Sequence, residues 1–273
     1  MDLDGYGNEG YFLHQETNML NLDALLHYQT KKDVYGFTLS YILNHAKFSE
    51  NGGITDYTAF ANKDARDSSA TTDLGGFSVL FSNATTLINT HDVSFQQYVN
   101  LKDKKGHYFG TITHTAQFKK LNSTFNDFNL NNDFYQNVYY QNTDTTKDTL
   151  HYYTLSNAIQ WSNYEPLAKQ SDKNYFIRLA GGIRHEYICA RMPYYIGNTY
   201  TLFARTSIRL FKVWDLYGNF AYSFHGYNKN DAIANLAATF NIDRKLKHYL
   251  GFEADFYRLS PDYFYSYYIG NNN

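Results

Sequence analysis

Residues 174–187 read NYFIRLAGGIRHEY, and this stretch decides the fold class. Successive side chains of a β-strand point to opposite faces, so odd and even positions would lie on different sides of a sheet. The odd positions are mainly apolar, whereas the even positions carry the charges. A strand of this kind separates an apolar environment from a wet one. The odd positions are Tyr175, Ile177, Leu179, Gly181, Ile183, His185 and Tyr187, and the even positions are Asn174, Phe176, Arg178, Ala180, Gly182, Arg184 and Glu186.

The same alternation continues along the chain in both directions. These segments run to about 9–14 residues, whereas strands of soluble proteins average about five or six. Twelve residues tilted near 45° rise about 28 Å, close to the hydrocarbon thickness of a bilayer. We therefore predict an all-β fold, an antiparallel transmembrane β-barrel to which this chain contributes about ten strands. The other predicted strands are 20–28, 34–45, 92–101, 107–118, 151–162, 199–211, 216–225, 232–242 and 248–259.

Composition supports this interpretation. Aromatic residues make up 19% of the chain, with 28 Tyr and 21 Phe, yet the mean hydropathy is −0.55. A helical membrane protein would be far more apolar, whereas strands that face lipid on one side and water on the other give this balance. Only 18% of the residues are charged and the net charge is −2, which indicates no nucleic-acid partner. The single cysteine, Cys189, excludes an intrachain disulfide framework.

The connections between the predicted strands differ in length. Short turns are predicted at 29–33, 102–106, 212–215 and 243–247, with a medium one at 163–173. Longer loops alternate with them at 46–91, 119–150, 188–198 and 226–231, as in barrels with short turns on one side and long loops on the other. Residues 75–90 are interpreted as loop, and a strand there would invert half of the assignment. We treat 1–273 as a single barrel domain and expect it to be a piece of a longer chain.

Charged residues at the wet positions are the candidate functional residues. Strands 174–187 and 199–211 would pair as a hairpin, so their arginines could form a ladder on the wall of the lumen. Such a ladder favours anions, and an acidic patch facing it would create a transverse field. The alternative is that these charges pair with one another and only line a wet interior. The lumen-facing candidates are Arg178, Arg184, Glu186, Arg205, Arg209, Glu253 and Asp255.

Aromatic residues near the strand ends are candidates for a membrane-interface girdle. An amphipathic aromatic ring suits the headgroup zone of a bilayer. The alternative is the ordinary preference of tyrosine for strands. The interface candidates are Tyr28, Tyr35, Trp161, Tyr175, Tyr187, Tyr200 and Trp214.

Several stretches between residues 80 and 190 resemble the putative porin family of Bacteroidetes. They are LFSNATTL at 80–87 with VSFQQY at 93–98, ITHTAQF at 112–118 leading into FND at 125–127, FYQN at 134–137 with KDT at 147–149 and LSN at 155–157, and LAGGIRHEY at 179–187. Members of that family are longer than this chain. The resemblance implies a bacterial outer-membrane location and a pore, and it implies no particular solute.

Motifs for catalysis are absent from the sequence. There is no Gly-x-Ser-x-Gly elbow, no phosphate-binding glycine loop and no His-Glu-x-x-His, and Asp2-Leu3-Asp4-Gly5 is only the start of a calcium-loop pattern. We therefore predict no enzyme, no catalytic or metal-ligating residues and no cofactor. The predicted function is passive, porin-like diffusion of small polar solutes, with outer-membrane lipid as the surrounding partner and the oligomeric state left open. A plugged barrel that acts as a surface binding or scaffold protein is the main alternative, and a soluble all-β binding protein is a third.

Overall fold

The computed structural model describes residues 1–10, 12–55, 78–102, 107–128, 145–164, 176–191, 194–211, 213–242 and 248–261, and its regular elements are all β-strands. Among these residues no helix is long and apolar enough to cross a membrane. The strands are β1 (Asp2–Asn8), β2 (Thr17–Gln29), β3 (Tyr35–Glu50), β4 (Ala84–Lys102), β5 (Tyr108–Asp127), β6 (Thr146–Ser162), β7 (Ile177–Arg191), β8 (Tyr194–Leu210), β9 (Trp214–His225), β10 (Ala232–Asn241) and β11 (Tyr249–Arg258).

The eleven strands form one antiparallel sheet in which every strand pairs with its neighbours in the chain. The prediction of an all-β antiparallel fold is confirmed. Strands β1 and β11 are the two edges, and within the described residues they do not pair with each other. The sheet is therefore open, as a partial barrel would be.

The register keeps the alternation in phase across the sheet, apart from shifts between Leu101 and Lys102 and between Tyr200 and Thr201. Ile183 lies opposite Leu202 on one face, and Arg184 lies opposite Thr201 on the other. Following these pairs from strand to strand assigns each strand residue to a face, because directly paired residues point to the same side. One face consists of odd positions in β1, β3, β4, β6 and β7 and of even positions in the remaining strands.

The exposure of adjacent residues shows that the sheet is curved. Large apolar side chains on the first face are open to the surroundings, whereas the small polar residues next to them in sequence are covered. Side chains converge only on the inner side of a curved sheet, so we call the first face convex and the second concave. The exposed fractions are 42% for Ile112 and 6% for Thr113, 41% for Leu155 and 7% for Thr154, and 49% for Leu202 and 4% for Thr201.

The boundaries of two predicted loops are wrong because the strands are longer than the alternation suggests. Strand β3 continues to Glu50 and β4 begins at Ala84, so the loop predicted at 46–91 is reduced to 51–83. Likewise β5 continues to Asp127 and β6 begins at Thr146, which reduces the loop predicted at 119–150 to 128–145. The added segments were missed because their convex positions are mainly polar, whereas apolar residues such as Phe48, Ile88 and Phe125 lie on the concave side, so the alternation of the neighbouring segments is lost.

The interpretation of residues 75–90 as loop is partly wrong. Residues 84–90 belong to β4, residues 78–83 lie in the connection, and residues 75–77 are outside the described residues. The described part of this segment adds no separate strand between β3 and β4, so the predicted directions of the later strands hold.

Two other sequence predictions need correction. The loop predicted at 188–198 is wrong, because β7 runs to Arg191 and β8 begins at Tyr194. That hairpin is tight, so the long loops on its side of the sheet are the β3–β4 and β5–β6 connections. Strand β1 was not predicted, because Gly5, Gly7 and two aspartates give it little strand character.

Candidate functional site

All seven predicted lumen-facing residues lie on the concave face. The expected hairpin of β7 and β8 exists, and Arg178 lies opposite Ser207, midway between Arg205 and Arg209 on the neighbouring strand. Three arginines therefore cluster near the turn that joins β8 to β9. Arg184 lies farther along β7, opposite Thr201, so the arginines form one cluster and one separate charge rather than an even ladder.

Two of the clustered arginines already have partners. The Nε of Arg209 donates a hydrogen bond to Oδ1 of Asp215, and the two side chains form an ion pair. The guanidinium of Arg178 lies 5.6 Å from the centre of the Tyr164 ring, a cation–π arrangement. Asp215 was not among the predicted site residues, although it occupies a concave position directly across from Arg209. This pairing cancels the charge of Arg209.

Arg205 and Arg184 are exposed on the concave face and make no ion pair within the described residues. An exposed guanidinium keeps its charge under all physiological conditions and presents its donors to the solvent. These two residues therefore carry exposed positive charge on the β7–β8 wall.

A row of polar side chains joins Arg205 to the acidic edge of the sheet. Arg205 lies opposite Asn219, which lies opposite Asn235, which lies opposite Asp255. Asn219 Nδ2 donates to Asn235 Oδ1 at 3.1 Å, and Asn235 Nδ2 donates to Asp255 Oδ1 at 2.6 Å. With Glu253 also on the concave side of β11, the wall changes from positive to negative across four strands.

A cleft of about 250 Å³ opens on the concave face beneath the connection between β9 and β10. Arg184 and Glu186 line it from β7, and Asp231 lines it from the end of that connection. Thr199 also lines this cleft. Thr199 is only 5% exposed, and its buried Oγ1 finds no hydrogen-bond partner among the described residues. The cleft therefore combines side chains of both signs of charge on the concave face.

The concave face is not uniformly polar. Leu25, Ile42 and Phe203 occupy concave positions, and the Phe203 ring covers Gly182 on the adjacent strand. The convex face in turn carries some neutral polar groups. These are bonded to one another, as in the Gln97–His114 pair at 3.2 Å and the His185–Asn198 pair at 2.8 Å.

The predicted interface aromatics share the convex face, except Tyr175, which lies outside the described residues. Tyr28, Tyr35, Trp161 and Trp214 lie at or next to strand ends on the side of the short turns. Tyr187 and Tyr200 lie inside β7 and β8 because those strands extend beyond their predicted limits. Their assignment to a membrane interface stays a prediction.

Acidic residues are completely segregated between the two faces of the described strands. Each of them points to the concave side, and the convex side has none. This separation does not depend on ion pairs between particular residues. It depends only on the face of the sheet to which each acidic side chain points. The acidic strand residues are Asp2, Asp4, Asp23, Glu50, Asp92, Asp127, Asp148, Glu186, Asp215, Glu253 and Asp255.

Comparison with known proteins gives one result for nearly the whole chain. The family described as "Putative porin" matches residues 1–272. No curated protein and no solved structure matches the chain.

Proposed function

Because the chain belongs to the putative porin family, we propose that it forms the wall of a bacterial outer-membrane channel for the passive diffusion of small polar solutes. The observation that carries this proposal is the division of the sheet into two faces. The convex face exposes large apolar side chains and no strand carboxylate, which suits contact with acyl chains. The concave face holds the acidic strand residues together with Arg184 and Arg205, which suits a water-filled interior.

In this proposal the protein performs no covalent chemistry. A solute that crosses the interior meets Arg205 on β8 and Asp255 on β11, with the hydrogen-bonded Asn219 and Asn235 on the strands between them. The field between them orients dipolar solutes, and the two unpaired arginines raise the local concentration of anions. Selectivity would then depend on the charges of this wall rather than on a tight binding site.

Replacing Arg205 tests the electrostatic part of the proposal. We expect Arg205→Gln to lower the anion preference of the channel, because it removes an exposed positive charge and keeps a polar side chain at this position. The measurement is the reversal potential of the purified full-length protein in planar bilayers under a salt gradient. We expect the double variant, Arg205→Ala with Arg209→Ala, to shift the reversal potential in the same direction.

A charge-neutral double variant provides the matched control. Arg209→Gln with Asp215→Asn removes the ion pair and leaves the net charge of the wall unchanged. We expect its reversal potential to equal that of the unmodified protein. If Arg205→Gln also leaves the reversal potential unchanged, the arginines do not set the selectivity.

The cleft beneath the β9–β10 connection favours a second candidate function. A barrel whose interior is plugged could use Arg184 and Glu186 to bind a polar ligand in this cleft. Conductance separates the two functions. Discrete conductance steps from the full-length protein in a planar bilayer support the channel, and an electrically silent protein that inserts normally supports the plugged barrel.

A further inference from the structure

Five basic residues of the described strands point outward from the convex face. All five are exposed. Each lies in the half of its strand that points to the end of the sheet where the long β3–β4 and β5–β6 connections are. In the other half of the convex face, toward the short turns, the described strands carry no lysine or arginine except Lys102. Lys102 is the last residue of β4 and follows a register shift, so it is not counted with the five. We call these five residues the basic collar: Lys47, Lys120, Lys147, Arg191 and Arg258.

The collar has no acidic counterpart within the described strands. On the concave face Lys119 pairs with Asp92 at 3.7 Å and Arg209 pairs with Asp215. None of the five collar residues makes an ion pair among the described residues, because no strand carboxylate shares their face. Five exposed cations on a face without carboxylates in the described strands favour an anionic partner such as a phosphate.

Aromatic rings lie at the border between the collar and the apolar part of the convex face. The Tyr153 ring lies 6.3 Å from the Phe118 ring and 6.2 Å from the Tyr187 ring, centre to centre. Lys120, one of the collar residues, is paired with Tyr153 in the sheet and therefore lies level with these aromatic rings. Aromatic side chains favour the headgroup zone of a bilayer, which would put Lys120 at the depth of the lipid phosphates.

A cleft of about 440 Å³ lies at this border on the convex side. Lys120 and Arg191 supply its charge, Asn122 and His151 supply further polar atoms, and Phe118 and Tyr153 supply aromatic surface. Guanidinium and ammonium groups bind phosphate through charge-assisted hydrogen bonds. The aromatic surface in the same cleft can contact the acyl chain attached to the same molecule.

We propose that this cleft binds the phosphorylated headgroup of an outer-leaflet glycolipid, with a phosphate between Lys120 and Arg191 and an acyl chain against Phe118. The proposal rests on the proposed membrane location of the protein. The lipid site goes beyond the proposed channel function, because the passage of solutes does not require a lipid-binding site on the outer wall.

Native mass spectrometry of the full-length protein in neutral-lipid nanodiscs tests this site. The probes are lipid A, the same lipid without its phosphates, and inorganic phosphate. We expect lipid A to be retained preferentially, the dephosphorylated lipid to be retained weakly, and inorganic phosphate not to be retained. Removing both charges with Lys120→Gln and Arg191→Gln should weaken lipid A retention about 30-fold, given the usual attraction of each basic residue to an anionic surface.

Lys119→Gln is the matched control, because it removes a lysine from the adjacent position but on the concave face. It should retain lipid A like the unmodified protein. The proposed site is overturned if the double variant retains lipid A as well as the unmodified protein does, or if lipid A and the dephosphorylated lipid are retained equally. Either result leaves the channel proposal intact. Retention of inorganic phosphate alone would show an ion site without a lipid and would also overturn it. Failure of the unmodified protein to insert into nanodiscs would overturn the membrane location, and this proposal with it.

Discussion

Gly182 lies on the concave face where β6, β7 and β8 come close together. A Cβ at this position would collide with the backbone oxygen of Ile159 and lie 2.8 Å from the Phe203 ring and 2.9 Å from the Cα of Gln160. Backbone atoms cannot turn aside as a flexible side chain can, so the strands would have to separate. Glycine is therefore required here by packing rather than by a turn.

We expect Gly182→Ala to lower the free energy of unfolding by about 1–3 kcal/mol, the usual cost of overfilling a packed site. Urea unfolding in lipid vesicles, followed by the fluorescence of Trp161 and Trp214, measures the change. Gly251→Ala is the control, because Gly251 also lies on the concave face but has no atom within 4 Å of an added Cβ. Equal stability of the two variants would contradict the packing at Gly182.

The sequence places the charged candidates on one face but does not show which of them remain free. Period-two alternation assigns Arg178, Arg205 and Arg209 to the same side of their strands, and the structure agrees. Pairing of Arg209 with Asp215 depends on the register between β8 and β9, which the short connection between those strands fixes. A single strand read alone cannot supply that register, so the free charge of Arg205 becomes evident only in the sheet.

Individual strands show why their lengths were underestimated. In β5 the apolar convex positions end at Phe118, and beyond it the convex side carries Lys120, Asn122 and Thr124. The apolar residues of β5 beyond this border, Leu121 and Phe125, lie on the concave side instead. The strand therefore continues without the alternation of its first part, and the prediction stopped at the border of the apolar band.

Adjacent residues of β10 test the assignment of the two faces within one strand. Leu236 points outward and is exposed, whereas Asn235 points inward and donates to Asp255. We expect Leu236→Arg to lower the free energy of unfolding in vesicles by about 2–4 kcal/mol, the cost of a cation facing the middle of the bilayer. Asn235→Arg should cost far less, because its charge would lie in a wet interior beside Asp255. Equal costs at the two positions would contradict the assignment.

The whole sheet combines a continuous ladder with two free edges. Within a membrane, unpaired N–H and C=O groups along β1 and β11 would be costly, so both edges must be paired in the proposed channel. The resemblance noted in the sequence and the family match across residues 1–272 agree on the class of protein. The segregation of the acidic strand residues gives a physical reason for that class that does not depend on the match.

The most direct test of the account is the environment of consecutive residues along β8 in lipid vesicles. Nitroxide labels introduced one at a time at positions 199–208, in a Cys189→Ser background, report contact with dissolved oxygen or with a water-soluble nickel chelate. We predict that the even positions, which include Leu202, Ala204 and Ile208, favour oxygen, and that the odd positions, which include Arg205 and Ser207, favour the chelate. Loss of this two-residue alternation, or chelate access to both faces, would contradict the central claim that the convex face meets lipid and the concave face meets water.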